Sequence, residues 1–380
     1  MEMSMPGLNP TVDPNGLLEY SVVYTDRSLN HMSQNFQNVM NDISTTLKKV
    51  YSAATVTVVP GSGTFGMEAV ARQFASNKKC LIIRNGWFSF RWSQILDMGQ
   101  ISNAVTVLKA KRSTDDPQAP FAPPPIEDVV ATIRKEKPEI VFAPHVETSS
   151  GIILPDDYIK EVAQAVRQEG GLFVLDCIAS GTMWVNMEKT NVDILISAPQ
   201  KGWSGSPCCA LVMMSPRAME HLATSQSSSF ACDLKKWRQI MEAYEKGGHA
   251  YHATMPTEGL RNFRDVMKET VAYGLDKIKN EQLTLGTRLR EVLEAKGFPS
   301  VAADGFQAPG VIVSYTNDPE IKTGKKFLDH GIQIAAGVPL QCDEPQDFQT
   351  FRIGLFGLDK LGHVERTIKT FSDALDRINS

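Results

Sequence analysis

The segments Leu172-Phe173-Val174-Leu175-Asp176 and Ile194-Leu195-Ile196-Ser197-Ala198-Pro199-Gln200-Lys201-Gly202-Trp203-Ser204-Gly205-Ser206-Pro207 decide how this chain folds. Each opens with a short, unbroken apolar run that shows no polar alternation. Such a strand is buried on both faces, which implies a mainly parallel sheet covered by helices. The first run ends on an aspartate and the second on a lysine in a Gly/Ser/Pro loop. In an open α/β sheet, ligands bind beyond the carboxyl ends of the strands. Asp176 and Lys201 therefore stand where chemistry is expected, although a capping aspartate and a solvent-facing loop lysine are the plainer readings of each alone.

The same texture extends outward from these segments. Thr55–Val59, Cys80–Ile83, Val105–Leu108 and Ile140–Ala143 read as further strands, and Phe65–Ala75, Ile126–Lys135 and Asp156–Gln168 as helices between them. The alternation predicts one large α/β domain over residues 51–255. Ser113–Pro125, with five prolines, reads as loop. A smaller α+β unit is expected over residues 256–380. Its elements are a long helix from Leu260 to about Lys296, strand Val311–Tyr315, a helix near Ile321–His330, strands Gln333–Ala336 and Phe351–Ile353, and a last helix Leu361–Asn379. Residues 1–50 read as an arm and the helix Met32–Tyr51, used for packing and interface.

Composition excludes several classes. With 42% hydrophobic and 22% charged residues, the chain can bury a core and is not disordered throughout. Its apolar runs, such as Cys208–Met214, fall well short of the ~20 residues that span a bilayer, so no membrane role is expected. A net charge of -4 argues against a nucleic-acid partner. The start, Met1-Glu2-Met3-Ser4-Met5-Pro6-Gly7, has neither basic nor apolar signal character. The six cysteines form no C-x-x-C pair, and His249 and His252 have no ligand cluster beside them. No metal is expected, and reduced thiols in a cytoplasm are.

Gly61-Ser62-Gly63-Thr64-Phe65-Gly66 follows a strand and opens a helix whose apolar stripe is Met67, Val70, Ala71 and Phe74. Free N–H groups and the helix dipole make such a start an anion site, and Ser62 and Thr64 add hydroxyls. A simple turn is the alternative. The string also fits the dinucleotide pattern G-x-G-x-x-G. However, no acid stands between Glu68 and Asp97 to take the ribose, leaving only Arg84 for a 2′-phosphate. An NADP oxidoreductase would leave Asp176 and Lys201 unused. A phosphate-binding helix start, a strand-end carboxylate and a loop lysine are together the parts that pyridoxal 5'-phosphate needs. These serve its phosphate, its protonated pyridine nitrogen and its aldehyde.

On these motifs the chain resembles a class V aminotransferase, a fold type I pyridoxal-phosphate enzyme, near the alanine–glyoxylate and serine–glyoxylate branch. The resemblance implies a mainly parallel, seven-stranded-type sheet between helices and a smaller C-terminal α+β domain. It implies an aminotransferase that moves an amino group from a small amino acid of alanine or serine type to glyoxylate or pyruvate. It makes Ser62, Gly63 and Thr64 the phosphate cup and Lys201 the covalent anchor and proton carrier. Asp176 becomes the partner of the pyridine nitrogen, and Ile178 packs under the ring. In Asn85-Gly86-Trp87-Phe88-Ser89-Phe90-Arg91, Phe88 aligns with the stacking aromatic, usually Trp, with Trp87 next to it. Thr148 of Glu147-Thr148-Ser149-Ser150-Gly151 and Gln200 match cofactor contacts.

Tyr251 and Thr254 match residues that reach the neighbouring subunit's phosphate, implying a homodimer with shared active sites. Arg352 of Phe351-Arg352-Ile353-Gly354-Leu355-Phe356-Gly357 matches the arginine that grips the substrate carboxylate. The chain departs from the family at Pro6-Gly7-Leu8-Asn9-Pro10 and Thr25-Asp26-Arg27-Ser28, in the arm that shapes the substrate pocket. A 2-aminoethylphosphonate–pyruvate transaminase is the nearest alternative. A cysteine-desulfurase-like lyase fits less well, because Gln200 replaces the histidine that desulfurases carry before their lysine.

Overall fold

Seven strands form one sheet: β1 (Thr55–Pro60), β2 (Cys80–Arg84), β3 (Val105–Lys109), β4 (Ile140–Pro144), β5 (Leu172–Asp176), β6 (Ile194–Ser197) and β7 (Cys209–Met214). The computed structural model describes residues 12–379, so the Pro6–Pro10 segment lies outside the described residues. The strand order is β1-β7-β6-β5-β4-β2-β3. All neighbours run parallel except β7, which opposes both β1 and β6. Every residue of β2, β4, β5, β6 and β7 is buried, as continuous apolar strands require.

Strand direction places the chemistry. Since β7 opposes both β1 and β6, those two strands run the same way as β5, β4 and β2. The carboxyl ends of six strands therefore emerge at one edge of the sheet. Those of β1, β2, β4, β5 and β6 lead into Gly61–Thr64, Asn85–Phe88, His145–Ser149, Asp176–Ile178 and Ala198–Ser204. The antiparallel return into β7 lets the lysine loop, residues 198–208, turn back at that edge without a crossover helix. Gly66 lets its helix close onto the sheet: a Cβ there would stand 2.5 Å from the Ala210 Cβ.

Several elements depart from the sequence reading. The apolar run Cys209–Met214 is the strand β7, and Trp87–Met98, Pro216–Thr224 and Leu234–Glu245 are additional helices. The expected helix from Leu260 to Lys296 is two, Thr257–Tyr273 and Leu275–Ala295, broken at Gly274 with φ 110°. That φ belongs to the left-handed region, where an α-helix cannot continue. The helix expected near Ile321–His330 is likewise split, into Pro319–Lys322 and Lys325–Asp329, around Gly324 at φ 82°. The last helix is interrupted at His363. Only Ala335–Ala336 of the expected strand Gln333–Ala336 pairs. The proline-rich segment remains loop, apart from a two-residue pairing of Lys111–Arg112 with Phe121–Ala122.

A small antiparallel sheet combines β8 (Val311–Tyr315), β9 (Ala335–Ala336) and β10 (Thr350–Gly354) in the order β8-β10-β9, with Arg352 opposite Val313 and Ala335. Its apolar cluster includes Ile278, Leu285, Leu289, Ile312, Phe351 and Phe371. Leu260, Phe263 and Met267, on the helix before Gly274, pack instead into the core of the large sheet. No helix among the described residues is long and apolar enough to cross a membrane.

Candidate active site

The lysine loop is a tight turn. The Ser204 N–H donates to the Lys201 carbonyl at 3.0 Å and the Gly205 N–H to that of Pro199 at 2.9 Å, with Ser204 at φ 59°. The Leu358 N–H donates to Ser204 Oγ at 3.0 Å, tying the turn to the smaller unit. Gly202 lies against the backbone of Gly181, and any Cβ there would overlap its carbonyl. The loops after β5 and β6 are thereby locked together. Lys201 Nζ makes no hydrogen bond or ion pair among the described residues and stands 5.1 Å from the ring centre of Phe356. Burial lowers its pKa, the nearby Arg352 guanidinium lowers it further, and Asp176 opposes both.

Asp176 ends β5 almost fully buried, with one carboxyl oxygen accepting from the Ile178 N–H at 2.9 Å. Burial pushes its pKa up to about 7, with Glu147 adding to the rise. The Ile178 N–H, Arg91 and Lys201 pull it down. The Ile178 side chain lies across the helix start of Gly63–Phe74, where a Cβ on Gly63 would sit 2.5 Å from Ile178 Cδ1. Ser62 occupies the N-cap with extended backbone, φ -144° and ψ 176°, yet its side chain caps nothing. The first N–H groups of this helix therefore have no side-chain acceptor.

The neighbouring helix, Trp87–Met98, starts differently. Glu147, fully buried, brings its carboxyl group to this terminus. It accepts from the N–H of Phe88 (3.1 Å), Ser89 (2.8 Å) and Ser149 (3.1 Å), and from the hydroxyls of Ser89 and Ser149 (both 2.7 Å). Ser149 Oγ in turn accepts from the Trp87 N–H at 2.8 Å. This saturated network fixes Phe88 and, one turn on, Arg91. Arg91 Nη1 donates to Thr64 Oγ1 at 2.9 Å. The guanidinium carbons of Arg91 and Arg352 lie 5.1 and 5.6 Å from the Phe88 ring centre. Arg352 Nε donates to the Ala336 carbonyl at 2.8 Å, leaving both Nη groups without a partner among the described residues. Burial lowers its pKa, and Glu147 opposes that.

The fold thus gathers Ser62, Gly63, Thr64, Phe88, Asp176, Ile178, Lys201 and Arg352 through contacts and electrostatic coupling. Among the described residues, the hydroxyl of Thr148, buried beside Glu147, has no partner, and neither does the buried Oε1 of Gln200. Tyr251 and Thr254 bond each other, Oη to Oγ1 at 3.1 Å, and Tyr251 packs against His31. No contact among the described residues links either one to Lys201. Sequence reasoning assigned no role to Glu147, Arg91 or Phe356, although all three stand in the segments it quoted. The available signal was an acid just past a buried strand, flanked by hydroxyl residues. Asn85 is fully buried with neither side-chain polar atom paired among the described residues.

These residues fit pyridoxal phosphate. An open helix start roofed by Ile178, an uncapped Ser62 hydroxyl, an orphaned Gln200 oxygen and an unpaired lysine are groups a bound molecule would satisfy. Sheet topology and site together define the fold type I class of pyridoxal-phosphate-dependent transferases. Residues 16–354 match the aminotransferase class-V family, and the chain belongs to that family. It is thus an aminotransferase with pyridoxal phosphate as cofactor. It is 26% identical over 339 residues to alanine–glyoxylate aminotransferase 1 of Saccharomyces cerevisiae, covering 82% of each chain. It is also 26% identical to a 2-aminoethylphosphonate–pyruvate transaminase of Burkholderia ambifaria, over 84% of this chain and 81% of the other. Among solved structures, an alanine–glyoxylate aminotransferase from Nostoc sp. superposes with TM-score 0.77 at 20% identity, covering 92% of this chain and 89% of that one, a likeness of fold.

Proposed function

We propose that this aminotransferase moves the amino group of a small amino acid, of alanine or serine type, to glyoxylate or pyruvate. The observation that carries the proposal is the electrostatic coupling of two basic groups unpaired among the described residues, Lys201 Nζ and the Arg352 Nη pair, with Phe88 and Arg91 linking Arg352 to the open helix start at Ser62 and Thr64. Pyridoxal phosphate supplies an aldehyde for amine exchange and a protonated ring that draws electrons from the substrate's α-carbon. Ser62, Gly63 and Thr64 hold its phosphate, Phe88 and Ile178 enclose its ring, and Thr148 and Gln200 contact its polar edge. Asp176 keeps a proton at the ring nitrogen by presenting a carboxylate there. Lys201 anchors the aldehyde. Its lowered pKa suits it to take a proton from the substrate's α-carbon and return it at the far side of the transfer. Arg352 binds the substrate carboxylate with its two free Nη groups, which orients the amine.

The named alanine–glyoxylate and 2-aminoethylphosphonate–pyruvate relatives support an acceptor of glyoxylate or pyruvate type. A panel of alanine, serine and 2-aminoethylphosphonate against both acceptors tests the donor. Preference for the phosphonate donor would replace this reading with the alternative one. Lys201→Ala should abolish transamination, and a variant of full activity would end the assignment.

The dimer belongs to the same proposal: Tyr251 and Thr254 complete the phosphate site of a second copy. The exposure of Tyr251, Leu17, Tyr20 and Val22 supports it, because such apolar surface suits an interface. The same reading includes a cytoplasmic enzyme, an N-terminal interface segment over 1–50 and domains over 51–255 and 256–380.

A further inference from the structure

We infer that Arg91 is a positioning residue for the cofactor phosphate, acting through the Thr64 hydroxyl. The inference rests on the phosphate-cup reading of Ser62, Gly63 and Thr64 above. Arg91 lies three residues after Phe88, on the same face of Trp87–Met98, and Glu147 fixes that helix start. Its Nη1 donates to Thr64 Oγ1 at 2.9 Å, and it forms no ion pair among the described residues. A guanidinium has donors only, so the Thr64 oxygen must accept. The Thr64 O–H is then left to donate elsewhere, and its polarisation by a cation strengthens it towards an anion. Thr64 stands in the first turn of the helix whose N–H groups lack a side-chain cap.

The guanidinium lies over the Phe88 ring, which limits its swing. One side chain thereby joins the two helix starts, sets a hydroxyl's direction and brings permanent positive charge beside the cup. The carboxylates Asp176 and Glu147 also lie close enough to share in this balance, as does the cation of Lys201.

The experiment uses the full-length enzyme, resolved of cofactor and titrated by absorbance with pyridoxal phosphate and, separately, with pyridoxal. Four variants are compared: Arg91→Met, Arg91→Lys, Thr64→Val and the Arg91→Met/Thr64→Val double. Arg91→Met and Thr64→Val should each weaken pyridoxal-phosphate binding about tenfold, the scale of a hydrogen bond to a charged group. The double variant should be no weaker than the worse single one, and pyridoxal binding should not change in any variant. Arg91→Lys, which retains a donor and a charge, should recover most of the loss.

Additive losses in the double variant, or equal weakening towards pyridoxal, would overturn the inference. So would an Arg91→Met protein that melts lower yet binds the cofactor normally, since that marks a mere strut. If Thr64→Val alone leaves binding intact, the phosphate cup itself is misassigned and the inference falls with it. Loss in Thr64→Val with none in Arg91→Met removes only the role of Arg91.

Discussion

Two helices begin at the same edge of the sheet, and the protein finishes them in opposite ways. At Trp87–Met98 it supplies its own anion: Glu147 accepts hydrogen bonds from two N–H groups of the terminus, from the hydroxyls of Ser89 and Ser149, and from the Ser149 N–H in its own loop. At Gly63–Phe74 it supplies none, and Ser62 caps nothing. Any α-helix start presents the same N–H groups without intrahelical partners and the same dipole. The difference teaches that a helix start is a site only where the chain withholds its own carboxylate. The closed terminus is a foundation that aims Phe88 and Arg91, and the open one is the terminus we propose for the cofactor phosphate.

The strongest attempt to break this contrast is Glu147→Ala. It strands buried donors without an acceptor, so the cofactor-free protein should lose about 4 kcal/mol in urea unfolding or fail to fold. A variant of unchanged stability would mean that Glu147 is no foundation.

The second buried acid, Asp176, sharpens the comparison, because it accepts a single hydrogen bond. Its pKa rises from 3.8 to about 7 through burial, so the folded protein holds that proton where the unfolded chain has released it. Asp176 therefore disfavours folding progressively as pH rises from about 4 to about 7, and fully above that. Cofactor-free Asp176→Asn should be more stable than the parent at pH 8, by on the order of 3 kcal/mol, and equal to it below pH 4. His145, held near 3 by burial and bonded to Ser180 at 2.7 Å, acts with the opposite sign. It favours the fold above about pH 6.5 and loses that contribution as pH falls. Comparing variant with parent at each pH cancels the histidine. A constant stability difference across pH would show that Asp176 is ionised throughout.

The smallest effect concerns the two serines. Ser149→Ala should destabilise the cofactor-free protein by about 1–2 kcal/mol, because its hydroxyl both donates to Glu147 and accepts from Trp87. Ser62→Ala should leave that stability within about 0.5 kcal/mol and instead weaken pyridoxal-phosphate binding. Equal behaviour of the pair would erase the distinction between the termini.

Legibility followed locality. The strands β2, β4, β5 and β6 stood out because each is a mainly apolar run between turn signals, and burial on both faces demands that pattern. Trp87–Met98 did not stand out: Trp87-Phe88-Ser89-Phe90-Arg91-Trp92 is aromatic, poor in strong helix formers and preceded by a glycine. Its cap is Glu147, sixty residues away. The break at Gly274 was hidden because a lone glycine does not by itself end a helical pattern, and packing against two different cores decides it. Lys201 and Asp176 stand out because charge beside apolar runs is conspicuous, whereas Arg352 is singled out only by the family resemblance of its segment. Glu147 and Arg91 gave only a faint signal.

By itself the sequence determined the α/β class, the buried strands and the order in which an anion site, an aspartate and a lysine follow one another. Those features depend on local periodicity and on the residue at each strand's end. Only the tertiary structure decided that β7 runs backwards, that six strand ends share one edge, and which helix start is closed by an internal acid. These depend on partners distant along the chain, and burial makes each such pairing decisive without leaving a local pattern to read.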